Sequence, residues 1–176
     1  MFRLFESPRL SEFESKVLLH LDAAYNLARY LMRNDQDAED VVQEASLRAF
    51  RFFRNFRGEN SRAWFLQIVR NTSFTALKKN RMDETNIAFD EEMHGGQILP
   101  MDAGAKLDRA QDRQTVRAAI EQLPPEFREA ITLRELEELS YKEIADIAGV
   151  PIGTVMSRIA RARHQLQTIL SQSHPQ

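Results

Sequence analysis

The sequence predicts an all-α fold of two small helical domains joined by a flexible acidic linker. Three observations carry that expectation. Apolar residues recur at spacings of three and four through residues 12–81 and 110–170, no pair of segments alternates as paired strands would, and charge is segregated along the chain. Residues 1–81 hold 14 Lys and Arg against 10 Asp and Glu, residues 82–108 one lysine against seven acids, and residues 109–176 nine of each sign. The formal net charge of −2 therefore conceals a basic start, an acidic middle and a last part whose bases gather at its end.

A first helix is expected from about Glu12 to Met32, where Val17, Leu18, Leu21, Ala24, Leu27, Ala28 and Leu31 repeat at helical spacing. Asn34 or Asp35 can cap a second helix, DAEDVVQEASLRAFRFF. The loop NFRGEN separates it from a third, which follows Ser61 as RAWFLQIVRNTSFTALKKNR. These make a first domain, residues 1–81. Residues 82–109 contain HGG, Pro100 and Gly104 without sustained periodicity, and form the expected linker. In the second domain, residues 110–176, helices over Ala110–Gln122 and EFREAITLRELEE flank a break at Leu123-Pro124-Pro125.

The stretch SYKEIADIAGVPIGTVMSRIARAR then has the punctuation of a helix-turn-helix. Ser140 and Glu143 have capping-box spacing, Gly149 suits a helix exit, and Pro151 suits a helix start. On the last helix Ile152, Val155, Ile159, Ala162, Leu166 and Ile169 form the core stripe, and Ser157, Arg161 and His164 the opposite face. Thr154 and Arg158 lie on one shoulder, Met156 and Arg163 on the other. No carboxylate follows Asp146. Small residues beside arginines allow close approach to a duplex, with phosphate neutralisation or bidentate pairing to guanine. That is the layout of a recognition helix.

In the first domain, arginines from Arg48 to Arg70 interleave with Phe50, Phe52, Phe53, Phe56, Trp64 and Phe65. Rings stack on unpaired bases and arginines follow a backbone, which suits a single strand. Phe50, Phe53 and Trp64 read better as core, whereas Phe56 fits either role. Other classes fall away. With no Cys there are no disulfides or thiolate metal sites, and a reducing cytoplasm is the expected compartment. No segment suits membrane insertion. His20, His94, His164 and His174 are scattered, there is no phosphate-cradling glycine loop, and Asp90, Glu91, Glu92 and His94 lack a rigid scaffold for a metal. No enzyme, cofactor or metal is expected.

Taken together, these residues resemble the bacterial RNA polymerase sigma factors, in the small two-domain group called extracytoplasmic-function (ECF) sigma factors of the sigma-70 family. DAEDVVQEASLRAF resembles the polymerase-binding segment, FRGENSRAWFLQIVRN the segment that reads the minus-ten element, and LPPEFREAITLRELEELSYKEIADIAGVPIGTVMSRIARAR the minus-thirty-five domain. The resemblance implies that Asp37, Asp40, Gln43 and Glu44 dock on the clamp helices of the largest subunit of core RNA polymerase, with its flap as a further contact. Phe56, Arg57, Gly58, Glu59, Asn60 and Asn71 match the places where the family captures an unstacked minus-ten base. Lys78, with Lys79 and Arg81, suits upstream phosphates and equally the helix dipole. Thr154, Ser157, Arg158, Arg161 and Arg163 are the expected minus-thirty-five contacts.

The implied partners are core polymerase, promoter DNA and an anti-sigma factor. The implied state is a cytoplasmic, nucleoid-associated monomer when free of partners, which an anti-sigma factor could hold at the membrane. The acidic linker fits a stand-in for a polyanion in the RNA channel, and a solvating spacer equally. Two rival readings stay open: a sigma mimic that sequesters an anti-sigma factor, and a helix-turn-helix repressor. The chain also departs from the family pattern. FRG to Trp64 is one residue shorter than in many relatives, Met156 stands where Lys or Arg is common, and Ala160 where larger residues occur.

Overall fold

The computed structural model describes residues 8–87 and 105–173, and among them every regular element is helical. Eight α-helices follow in order: α1 Pro8–Lys16, α2 Leu21–Met32, α3 Asp35–Phe52, α4 Ser61–Ile87, α5 Ala105–Glu121, α6 Pro125–Ile131, α7 Tyr141–Ala148 and α8 Ile152–Ser173. The expected first helix is two helices. A short 3₁₀ turn, Leu18–His20, separates α1 from α2, with Val17 completely buried beside it. The break lets Phe13 face Phe50 and Phe53 edge-on while α2 keeps its own apolar face inward. Periodicity alone cannot reveal it, because apolar spacing continues across the join.

The other starts in the first domain follow their caps. Asn34 accepts a hydrogen bond from the Asp37 amide at 3.0 Å and opens α3. Asn60 does the same for α4, accepting from the Ala63 amide at 2.9 Å. The α2–α3 turn is tight, and Arg33 adopts a left-handed conformation with φ of 60° at the end of α2. α4 runs on to Ile87, through six residues expected in the linker, and α5 begins at Ala105 rather than near Ala110. Residues 88–104, with Asp90, Glu91, Glu92 and His94, lie outside the described residues.

In the second domain Pro124 and Pro125 start α6 as N-cap and first helical residue, where a missing N–H is harmless. The helix expected to continue to Glu138 instead widens into a π turn over Thr132–Leu136, and Glu138 turns the chain with φ of 54°. The turn swings Glu137 inward and delivers Leu139 to the core. Ser140 then opens α7 with a complete capping box: it accepts from the Glu143 amide at 3.1 Å, and Glu143 accepts from the Ser140 amide at 2.8 Å. Gly149 closes α7 at φ of 67°. A side chain there would have space, so the backbone angle is what favours glycine.

The two domains do not sit apart. Leu27, Ala28 and Leu31 of α2 belong to the same buried cluster as Leu133, Leu139, Ile144, Val155 and Ile159 of the second domain. A smaller cluster, Ile120, Leu123, Ile131 and Ala162, packs on Tyr30 from the first. One continuous apolar core therefore crosses the domain boundary, a contact no periodicity argument had indicated.

The capping box yields two expected outcomes. Ser140→Ala should lower stability by about 1 kcal/mol in urea unfolding, since an orphan amide loses its acceptor. The Ser140 amide holds the Glu143 carboxyl below its ordinary pKa of 4.5. Its contribution is therefore full above that value and lost as pH falls through the depressed one. The stability gap between wild type and Glu143→Gln should be largest at neutral pH and close in acid.

Candidate nucleic-acid interface

α8 is positioned by the face it buries. Val155, Ile159 and Ala162 are fully buried and Leu166 and Ile169 half-buried, as the stripe predicts. Ile152, expected in the same stripe, is 46% exposed, because it lies in the first turn beyond the edge of the core. The opposite face, Gly153, Met156, Ser157, Ala160, Arg161 and His164, is open to solvent. The flanking arginines are less free than their spacing implied. Arg163 is ion-paired with Glu135. Arg158 is half-buried, with one terminal nitrogen sunk among protein atoms and its charge felt by Glu129. Thr154 is half-buried as well. Ser157 and Arg161 are thus the expected contacts that stand clear of the domain.

In the first domain the aromatic run is mainly core. Phe53 and Phe65 are buried, and Phe53, Phe56 and Trp64 form one cluster, Phe56 lying 4.7 Å from Trp64 between ring centroids. Phe52 is the ring left facing outward, 57% exposed. Phe56 therefore supports the loop rather than waiting free in it. Gly58 is favoured by close approach: a Cβ there would lie 3.0 Å from the Phe56 ring, which would have to shift to admit it. Arg57 is exposed and donates to the Arg54 carbonyl at 2.8 Å, and Glu59 is exposed.

α4 then carries a polar stripe. Asn60, Gln67, Asn71 and Lys78 are separated by seven, four and seven residues, so they share one side of the helix over about 27 Å. The opposite side, Phe65, Leu66, Val69, Thr72 and Ser73, is core. Asn71 and Lys78 are exposed, and the Asn71 side-chain oxygen accepts a weak bond from Arg70 at 3.4 Å. Asn60 and Gln67 are engaged by α7: Asn60 donates to Glu143 at 3.1 Å, and Gln67 to the Asp146 carbonyl at 3.3 Å.

On α3 the four expected residues divide. Asp37, Asp40 and Glu44 line a groove against Thr75, Lys79 and Asn80 of α4, and Glu44 is paired with Arg48. Gln43 faces the neighbouring apolar groove of Leu10, Leu21, Val42 and Leu47. Hydrophobic spacing placed Gln43 on α3 but not on which of its two exposed sides.

Charges that sequence reasoning passed over meet at the domain junction. Arg70 donates to Glu129 at 2.7 Å, and Glu129 is 1% exposed. Burial pushes its carboxyl up, and the Arg70 guanidinium offsets part of that rise. Arg62 donates at 2.9 and 3.0 Å to the carboxylate and carbonyl of Glu137, which also accepts from Asn26 at 3.0 Å. Arg128 donates at 2.6 Å to the Leu123 carbonyl and at 2.9 Å to the Leu31 carbonyl near the end of α2. Burial lowers its pKa to about 10, so it stays charged at neutral pH. Their one-dimensional signal was Arg128-Glu129 inside a mainly apolar run. Among the described residues no acidic or histidine cluster could hold a metal ion, and no helix is long and apolar enough to cross a membrane.

An outward helix-turn-helix and a polar stripe on a second helical domain define a two-domain, all-helical DNA-binding class. Residues 17–82 match the Sigma-70 region 2 family and residues 113–166 the Sigma-70, region 4 family. The ECF RNA polymerase sigma-E factor of Haemophilus influenzae is 37% identical over 165 residues, covering 90% of this chain and 83% of that protein. RNA polymerase sigma-H factor of Pseudomonas aeruginosa is 36% identical, covering 90% and 86%. A longer relative, ECF RNA polymerase sigma factor SigE of Mycolicibacterium smegmatis, is 35% identical over 92% of this chain, and the match spans 63% of its own length. The sigma factor RpoE of Bartonella quintana, solved in complex with the anti-sigma factor NepR, superposes with a TM-score of 0.76 at 31% identity, covering 92% of this chain and 98% of that one. The chain belongs to the sigma-70 family of transcription initiation factors, in its extracytoplasmic-function group.

The Phe56–Gly58 contact supplies a test of the loop. Gly58→Ala should destabilise the protein by about 1–3 kcal/mol, because the Phe56 ring is backed by Trp64 and cannot yield freely. Trp64 is the sole tryptophan, so its emission should shift with the displaced ring.

Proposed function

We propose that this chain is an alternative sigma factor that gives core RNA polymerase two promoter contacts and is itself not an enzyme. In this reading α8 enters the major groove of the minus-thirty-five element. Ser157 and Arg161 contact bases from the open face, while Thr154, Arg158 and Arg163 support or follow the backbone from the shoulders. Asn71 reads an unstacked minus-ten base with its amide donor and acceptor. The loop of Phe56, Arg57, Gly58, Glu59 and Asn60 forms the pocket rim, and Lys78 meets upstream phosphate. Unstacking a base costs a few kcal/mol, so a pocket that rewards one base couples melting to sequence. Asp37, Asp40 and Glu44, with Gln43 at the edge of the apolar groove, dock on the polymerase clamp helices.

The observation that carries this reading is the pairing, in one chain, of an open recognition face on α8 with the polar stripe on α4. A repressor would need only the first. The work is cytoplasmic, where the polymerase is, and an anti-sigma factor is the expected inhibitor because the similar RpoE was solved with one.

In vitro transcription with purified core polymerase across a promoter library tests the assignment. Arg161→Ala should weaken selection at the upstream element by about 1–3 kcal/mol and relax preference there. Asn71→Ala should impair choice at the downstream element and leave the upstream one intact. Uniform loss of DNA affinity in both variants, with preferences unchanged, would sink the site assignments.

A further inference from the structure

The leading end of α8 carries two features that the fold does not use. Ile152 and Met156, one turn apart, are 46% and 52% exposed, so they form an apolar strip beside the open face rather than part of the core. Gly153 lies next to them. Its φ is not positive, and a Cβ there would meet nothing within 4 Å, so neither backbone strain nor packing calls for glycine. Glycine weakens a helix relative to alanine, and close approach of another molecule to the backbone is the remaining reason for one. The residues one turn away from Met156, namely Ile152, Gly153, Ile159 and Ala160, are all uncharged, and none but Ile152 puts a long side chain beside it on the exposed side. Arg163, on the same shoulder, is drawn back to Glu135 of the π turn.

We propose that Met156, backed by Ile152, is a specificity-determining residue that reads the 5-methyl group of a thymine in the minus-thirty-five element. The proposal rests on the reading that α8 enters the major groove. The first turns of a recognition helix lie against base edges, and thymine alone among the four bases presents an apolar group there. A thioether chain with three rotatable bonds can settle on such a methyl, and Gly153 lets the backbone come close enough for it to do so. Met156 offers no charge or donor to a phosphate, so it contributes to choice of sequence rather than to general affinity. Duplex DNA, rather than an apolar protein surface, fits the strip because α8 also carries Arg158, Arg161, Arg163 and His164, and no carboxylate follows Asp146.

The experiment uses core polymerase reconstituted with the full chain. The preferred upstream element is first selected from a promoter library. Each of its thymines, on either strand, is then replaced singly by deoxyuridine, which removes the methyl and keeps every hydrogen-bonding group. With wild type, replacement at one thymine or two adjacent ones should lower competitive initiation about fourfold, the worth of one buried methyl. In Met156→Ala the same replacement should be silent, whereas Met156→Leu should keep the sensitivity. Both variants change an exposed side chain and should fold as wild type does. Gly153→Leu, placed in open space, should keep the wild-type melting temperature and lose upstream selection. Equal sensitivity in wild type and Met156→Ala, or no methyl-sensitive thymine at all, overturns the proposal. Full upstream selection by Gly153→Leu overturns it too, since the backbone would then not approach the bases. Absence of any upstream selection by wild type overturns the groove assignment of α8 itself, and the proposal with it.

Discussion

Two adjacent charges on α6 govern how this molecule is put together. Arg128 and Glu129 are consecutive, and both are buried where the domains meet. Arg128 reaches the carbonyl end of α2, where helix geometry leaves acceptors without intrahelical donors and the dipole favours a cation. Glu129 reaches Arg70 on α4. Burying two charges is tolerable only if each is paired and hydrogen-bonded, so the junction must keep α2, α4 and α6 in one arrangement or expose all of them to water.

The rest of the structure is organised around that constraint. Helices α2, α3 and α4 enclose the first core, and the face of α2 that remains joins the second domain's apolar residues. α6, the π turn and α7 form a continuous surface against α2 and α4, leaving α8 to present its outer face to solvent. The recognition helix is therefore accessible in this closed arrangement, whereas the first half of the α4 stripe is engaged. The polar faces of α8 and α4 are therefore not equally open to solvent.

Much of this was legible in one dimension. Asn34, Ser140, Glu143, Gly149 and Pro125 announce helix ends by local chemistry, and each does so in the structure. The α8 stripe holds because burial follows a 3.6-residue period, except at Ile152, where the core ends before the helix does. The split of the first helix and the π turn were not legible, since each depends on packing against residues distant in sequence, and α4 runs on to Ile87 through exposed positions that carry no apolar period to announce it. Phe56 could not be decided either: only the placement of Trp64 and Gly58 makes it a support.

The sequence by itself determined an all-helical chain, its helix-turn-helix, the polar faces of α4 and α8 and the family to which they belong. These follow from local rules: caps, turn residues and the period of apolar positions. Tertiary structure alone decided that the domains share a core and that Arg62, Arg70, Asn60 and Gln67 are held by α6, the π turn and α7. Nothing local distinguishes a glutamate bound for solvent from Glu129, whose partner lies 59 residues away, or Glu137, whose partners lie 75 and 111 residues away. A charge's environment is fixed by whatever folds against it, and that is a property of the whole chain.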